Sequence, residues 1–230
     1  MPSSFLPSGY PEPPHLLYLG TMDPRESLLD LLASLSFRLG DFTLASGQKS
    51  DYYIDCRITT LHAEGGRLAG IVLLDEIRER FPSAVAVGGL TMGADPLVSN
   101  IASASAWELA DHREFLALDP DEDHGPEPTL LNGFLVRKAG KTHGTGRLIE
   151  GFLKPGADVI IVDDVCTTGG STLQAVEATR AAGMNVIGVL ALVDREQGGA
   201  ANIGAAVPEA PFQALFTAAE IRKAHKRART

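Results

Sequence analysis

Two adjacent carboxylates, Asp163 and Asp164, run directly into Val165-Cys-Thr-Thr-Gly-Gly-Ser-Thr172, and no other stretch of the chain concentrates as much chemistry. Carboxylates do not bind phosphate themselves. They suit hydroxyl groups, or a hydrated divalent cation that accompanies a phosphate. The turn that follows offers backbone N–H groups and the start of a helix, a receptor for an anion. Gly169 and Gly170 suit such a turn, because glycine tolerates positive φ and lets backbone approach a ligand closely. Thr167, Thr168, Ser171 and Thr172 can add hydroxyl donors. The plainer alternative is an ordinary strand-to-helix turn in which Asp and Thr cap the helix. Caps seldom need two carboxylates, two threonines and two glycines together, so a ligand carrying both sugar hydroxyls and phosphates is the economical reading. Cys166, between Val165 and Thr167 and with no evident histidine partner, reads as a small buried hydrophobe rather than a nucleophile.

An anionic ligand needs positive charge, and the chain concentrates it in Arg137-Lys-Ala-Gly-Lys-Thr-His-Gly-Thr-Gly-Arg147, which follows the apolar Leu130–Val136. Charges alone would suit a solvated surface loop. The interleaved glycines and scarce apolar anchors also suit a lid that closes over a site. Gly140-Lys141-Thr142 is not the end of a P-loop: Leu135 stands where that motif needs glycine.

The string from Val159 to Thr172 resembles the binding loop of the type I phosphoribosyltransferases, which transfer ribose 5-phosphate from phosphoribosyl pyrophosphate (PRPP) to a nitrogenous base. The resemblance implies that Asp163 and Asp164 meet the ribose hydroxyls, directly or through water. It implies that Val165, Cys166, Thr167, Thr168, Gly169, Gly170 and Ser171 wrap the 5-phosphate. The basic loop resembles the catalytic loop of orotate phosphoribosyltransferases, in which Arg-Lys is followed by Lys-x-His-Gly. Carried over, Arg137, Lys138, Lys141 and His143 would grip the pyrophosphate, with Lys141 and His143 as the catalytic charges.

Two further blocks support that resemblance. Asp41-Phe-Thr-Leu-Ala-Ser-Gly-Gln-Lys-Ser-Asp-Tyr-Tyr-Ile-Asp55 reads alone as a β-hairpin with core aromatics, but resembles the Phe-Thr-Leu-x-Ser-Gly-x-x-Ser stretch near the orotate site. The strand Gly188–Val193 ends in Asp194-Arg195; Arg195 would hold orotate together with Thr167. A planar fork suits carboxylate and carbonyl oxygens, and a structural salt bridge is the alternative. The chain departs from the pattern by lacking lysines at Ala45 and Gly93.

The resemblance spans about residues 40–200. It implies an orotate phosphoribosyltransferase of de novo pyrimidine (UMP) synthesis, making orotidine 5′-monophosphate and pyrophosphate. It also implies Mg²⁺ reached by Asp163 and Asp164 only through water, and a homodimer with shared active sites. A phosphoribosyltransferase for another base is one rival. A non-catalytic PRPP sensor is another, and it would need neither the basic loop nor Arg195.

Composition agrees. A net charge of −9 argues against nucleic acid as a partner. With 44% apolar residues and a mean hydropathy of +0.05, a normal core is expected, and no apolar run approaches the roughly 20 residues of a membrane span. Met1–Tyr10 has no basic n-region, so no signal peptide is expected. Cys56 and Cys166 make no disulfide framework, so a reducing cytoplasm is the simplest setting.

The elements that must position these groups are read from periodicity and breakers. Residues 1–20 form a Pro-rich extension, and 21–230 a single phosphoribosyltransferase domain with a small N-terminal hood and an acidic surface insert at 119–128. A helix begins at Asp23 or Pro24, with Leu28, Leu31, Leu32 and Leu35 apolar. Two short strands flank Ser46-Gly47. Helices are predicted over Ala63–Arg80, with Leu68, Ile71, Val72 and Ile77 inward, over Asp95–Ala106, from Thr172 to Gly183, and over Thr217–Lys226. Strands are predicted over Ala84–Gly89, Leu130–Val136, 158–162 (ending at the carboxylates), 185–193 and Phe212–Phe216. Alternating strands and helices give an α/β fold, a mostly parallel sheet covered on both faces, as the type I phosphoribosyltransferase fold also implies.

Overall fold

A computed structural model describes residues 23–43, 49–120, 123–138 and 148–229. Helix α1 (Pro24–Leu31) starts where the Asp23 carboxylate accepts the Arg25 N–H and Pro24 pre-sets its φ. It passes into a π-helical turn, Leu32–Ser36, and Leu28, Leu31, Leu32 and Leu35 are all buried. Strands β1 (Phe37–Thr43) and β2 (Lys49–Ile54) pair antiparallel as a separate two-stranded sheet. The turn at Ser46-Gly47 lies outside the described residues.

The short α2 (Arg57–Thr60) and long α3 (Ala63–Arg80) lead to β3 (Ala86–Leu90), α4 (Asp95–Leu118), β4 (Asn132–Val136) and β5 (Ile149–Gly151). Then come β6 (Asp158–Cys166), α5 (Gly170–Ala181), β7 (Asn185–Asp194), α6 (Gly199–Ala206), β8 (Phe212–Thr217) and α7 (Ala218–Arg227). The main sheet runs β5-β4-β3-β6-β7-β8 and is parallel except for β5 against β4.

Alternation along β6 divides the core, since successive side chains leave opposite faces of a strand. Ile160 and Val162 join the residues of α1, α3, α4 and α7, whereas Val159 and Ile161 join those of α5 and α6. Both faces of the sheet are covered, as the alternation of elements implied. Among the described residues no helix is long and apolar enough to cross a membrane.

The structure corrects several boundaries. β6 does not end at Val162. Its pairing with β7 continues through Asp163↔Ala191 and Cys166↔Asp194, so both carboxylates sit within the strand. α4 runs on past Ala106 to Leu118, because no glycine or proline interrupts it before Pro120. α5 starts at Gly170 rather than Thr172, β4 at Asn132 rather than Leu130, and β3 covers Ala86–Leu90. Ile71 is only half-buried. β5 and α6 have no counterpart in the sequence reading: one has three residues, the other carries glycines that weaken a helical pattern.

Candidate active site

β3 pairs with β6 only over Ala86–Gly88 and Val159–Ile161. Beyond that point β6 continues beside β7 alone. The chain after β3 returns to β4 on one side, and the chain after β6 goes to β7 on the other. Such a switch point opens a crevice at the carboxyl ends of the strands. A cleft of ≈ 820 Å³ lies there. Leu90–Gly93 contribute to it after β3, and Asp163, Asp164, Val165 and Ser171 from β6 and the start of α5. Tyr53, Asp55 and Arg57 come from the hairpin and α2, and Arg137, Lys138 and Glu150 from the two stems of the basic loop.

Adjacent residues on a strand face opposite ways, and the two carboxylates have different surroundings. Asp163 is 8% exposed, and its Oδ2 accepts the Thr172 hydroxyl at 2.6 Å. Burial pushes its carboxyl up to about 7; the Thr172 hydroxyl opposes the rise and the Asp164 charge adds to it. Burial also raises Asp164, against the Val165 N–H that its Oδ1 accepts at 3.0 Å and the charge of Arg57. A Cβ on Gly93 would stand 2.3 Å from Asp164 Oδ1. A side chain at Gly93, where the lysine is missing, would therefore displace the Asp164 carboxylate.

The turn corrects two expectations. Thr172 is buried and its hydroxyl is committed to Asp163, so among the described residues of the turn Thr167, Thr168 and Ser171 remain as hydroxyl donors. Only Gly169 takes positive φ, +84°, whereas Gly170 is helical with open space where a Cβ would stand. Among the described residues no side chain caps α5, so its first N–H groups are left to other acceptors. Cys166 is buried, and its thiol is pushed up to about 12, by burial first and then by Asp194 and Asp163. It is a packing residue at neutral pH.

Arg195 follows β7. Its N–H donates to the Cys166 carbonyl at 2.9 Å, which ties it to the turn. Its guanidinium is almost fully buried, 4.8 Å from the Tyr52 ring centroid, and Nη2 donates to Ser50 Oγ at 3.4 Å. Its Nε has no hydrogen-bond partner among the described residues, where no carboxylate pairs with it. The hairpin thus seats on the arginine that the sequence singled out.

The basic loop connects the antiparallel β4 and β5. At its stems the Arg137 N–H donates to the Leu148 carbonyl at 2.8 Å, Arg137 meets Glu150 at 3.5 Å, and Gln174 Nε2 donates to the Lys138 carbonyl at 3.2 Å. Lys141 and His143 lie outside the described residues, as does Ala45.

Residues 74–207 match the family described as Phosphoribosyl transferase domain. The chain is 44% identical over 200 residues to the orotate phosphoribosyltransferase of Thermosynechococcus vestitus, covering 86% of this chain and 93% of that protein. The chain belongs to the orotate phosphoribosyltransferases. The Rhodopirellula baltica relative of the same name is 41% identical over 177 residues, 75% of this chain and 82% of that protein. Among solved structures, the Mycobacterium tuberculosis H37Rv orotate phosphoribosyltransferase in complex with PRPP matches with a TM-score of 0.64 and 31% identity, over 86% of this chain and 99% of that one.

Sequence reasoning missed the cleft residues Tyr53, Asp55, Arg57, Thr91 and Met92 and the steric role of Gly93. Asp55 and Arg57 form a two-pronged ion pair, Nε–Oδ1 2.9 Å and Nη2–Oδ2 2.8 Å. Opposite charges two positions apart just after the hairpin block were the available signal. Nothing in their spacing places them at the cleft without the fold.

Proposed function

We propose that this chain transfers ribose 5-phosphate from PRPP to orotate, giving orotidine 5′-monophosphate and pyrophosphate in pyrimidine synthesis. The observation that carries the site assignment is the fork at β3 and β6. It gathers the carboxylate pair, the uncapped start of α5 and the stems of the basic loop at one cleft, with the buried Arg195 tied to the turn beside it.

In the reaction the anomeric C–O bond to pyrophosphate breaks, with its electron pair leaving on pyrophosphate. A bond from an orotate ring nitrogen to the same carbon forms as that nitrogen gives up its proton, which pyrophosphate or water takes. The developing oxocarbenium character needs little from a nucleophilic side chain. Asp164 would accept ribose hydroxyls, and Asp163 shares that task from its buried position beside Thr172. Thr167, Thr168 and Ser171 with the N–H groups from Val165 to Ser171 would hold the 5-phosphate. Arg195 and Thr167 would hold orotate.

Arg137, Lys138, Lys141 and His143 would bind the pyrophosphate. Lys141 and His143 would stabilise the charge that leaves, and a closed basic loop would keep water from PRPP. The cleft lining sets Asp55, Glu150, Asp163 and Asp164 against Arg57, Arg137 and Lys138. An anionic substrate there suits an accompanying cation, and hard carboxylate oxygens fit Mg²⁺ held through water. When bound, Mg²⁺ would neutralise pyrophosphate charge.

A homodimer with shared sites is supported by exposed apolar side chains, Met92 in the cleft lining and Trp107 on α4. The buried free thiols of Cys56 and Cys166 agree with a reducing cytoplasm.

The decisive assay offers purified protein PRPP and Mg²⁺ with orotate, uracil and the purine bases in turn. Product with orotate alone is expected. PRPP binding without turnover of any base would instead mean a sensor. Mixing Lys141→Ala with Asp164→Asn protein under proven subunit exchange should restore activity if the sites are shared; no restoration would separate them.

A further inference from the structure

We infer that Arg57 is a pyrophosphate-binding residue, presented to the cleft by Asp55 and exchanged onto the substrate's phosphates when PRPP binds. The inference rests on the function proposed above and deepens it. Arg57 opens α2 and lines the same cleft as Thr91–Gly93, Asp164 and Lys138.

Three observations lead to it. The first is a deficit of charge. The segment after β3 supplies no cation to the cleft, and Gly93 cannot be given a side chain without striking Asp164. Besides Arg57, the described cations lining the cleft are Arg137 and Lys138, both on one stem of the basic loop. The second is placement by elimination. The 5-phosphate belongs to the turn at α5, and the base belongs to Arg195 and the hairpin. The anion left over is pyrophosphate, and Arg57 lies with Lys138 and the segment after β3 among the residues that line the cleft.

The third is presentation. Asp55 takes the guanidinium at both prongs and the Arg57 backbone N–H at 3.1 Å, so the fork is fixed while its side chain stays 41% exposed. The same contacts hold the Asp55 carboxyl below its ordinary value, the Arg57 hydrogen bond contributing most. Arg57 also senses the Asp164 charge while its fork is held by Asp55. A guanidinium that sits bidentate on carboxylate has the geometry to sit bidentate on phosphate.

The test measures dissociation constants by titration calorimetry, with Mg²⁺ present, for pyrophosphate and for orotidine 5′-monophosphate, which has no pyrophosphate. Arg57→Ala should weaken pyrophosphate about tenfold or more, the scale of a lost charged hydrogen bond, and raise the KM for PRPP. Its affinity for orotidine 5′-monophosphate should be unchanged. Arg57→Lys should recover part of the loss. Asp55→Asn, which keeps the cation but loosens its hold, should bind pyrophosphate as well as the wild type or better.

Unchanged pyrophosphate affinity in Arg57→Ala overturns the inference, as does equal weakening of both ligands. A loss in Asp55→Asn as large as in Arg57→Ala also overturns it, because the ion pair would then act only on the fold. A wild-type protein that makes no orotidine 5′-monophosphate from orotate and PRPP defeats the proposed function instead. The pyrophosphate titration reads Arg57 independently of that result.

Discussion

On the β6 side of the cleft, the groups presented to a ligand are held by their immediate neighbours. Asp163 is locked to Thr172, Asp164 to the Val165 N–H and the face of Gly93, and the N–H groups of α5 are fixed by the helix itself. On the other side the described groups are cations on long side chains, drawn from separate segments: Arg57 after β2, and Arg137 and Lys138 after β4. Under the proposed function, fixed dipoles would hold the part of PRPP that stays with the product. The cations would meet the part that accumulates charge and departs, where stabilisation of developing charge lowers the barrier.

The sharpest break in this contrast is expected at Lys141. Lys141→Ala should lower kcat at least about a hundredfold, the scale of losing one contact to charge that develops in the transition state. Steady-state rates with saturating PRPP and orotate give the answer. Near-normal turnover would remove the basic loop from the chemistry and leave the β6 side to account for catalysis.

The fixed side makes a different commitment, one to pH. Burial raises the Asp163 carboxyl to about 7, so the folded chain keeps a proton that the unfolded chain has already lost. A raised carboxyl stabilises the fold at low pH, and that contribution falls as pH rises from about 4 to about 7. Asp163→Asn has no such proton, while its carbonyl can still accept the Thr172 hydroxyl. Urea unfolding at about pH 5 and about pH 8 should show the variant gaining on the wild type by on the order of 2 kcal/mol across that interval. A constant difference would mean that Asp163 ionises as an ordinary carboxylate. It would also mean that this side is less tightly sealed than its geometry indicates.

The same contrast governs what could be read from the sequence. The β6 side is contiguous: strand, carboxylates, turn and helix follow one another, so Asp163 to Ser171 announce themselves as a motif. Even there the end of the strand was placed four residues early, because pairing of Cys166 with Asp194 depends on how far β7 extends. The other side is assembled by topology. Arg57 approaches Asp164 only because the chain between them folds into α3, β3, α4 and β4 before β6 returns to the cleft. No local pattern encodes that approach. Gly93 is a third kind of case, since its meaning lies in the carboxylate it must not touch, and a sequence shows it only as a missing lysine.

Gly93 is the point where the two sides meet. Gly93→Ala would place a methyl group within 2.3 Å of Asp164 Oδ1, so the carboxylate or the segment after β3 must shift. kcat/KM for PRPP should fall about tenfold or more, since overpacking of this kind costs about 1–3 kcal/mol. Orotidine 5′-monophosphate should weaken as well if Asp164 serves the ribose common to both ligands, as proposed. An unaffected kcat/KM would show that Asp164 is free to move, and the β6 side would lose its claim to rigidity.

The finest test lies within the turn, where neighbouring glycines should answer oppositely to the same substitution. Gly169 has φ +84°, and a Cβ there would stand 2.9 Å from Ile203 Cγ1. Gly169→Ala should therefore destabilise the fold by about 1–2 kcal/mol, the cost of a left-handed alanine. Gly170 already has helical geometry, and a Cβ there would meet nothing within 4 Å. Gly170→Ala should leave stability unchanged or raise it by about 0.5–1 kcal/mol. Its methyl group would extend into the open space at the start of α5, where the proposed phosphate site lies, so the KM for PRPP should rise although the fold has gained. Stability and affinity moving apart at Gly170, and stability falling at Gly169, would show that one glycine serves the chain and the other its ligand. If PRPP binds Gly170→Ala as well as the wild type, the phosphate does not approach α5 at that residue.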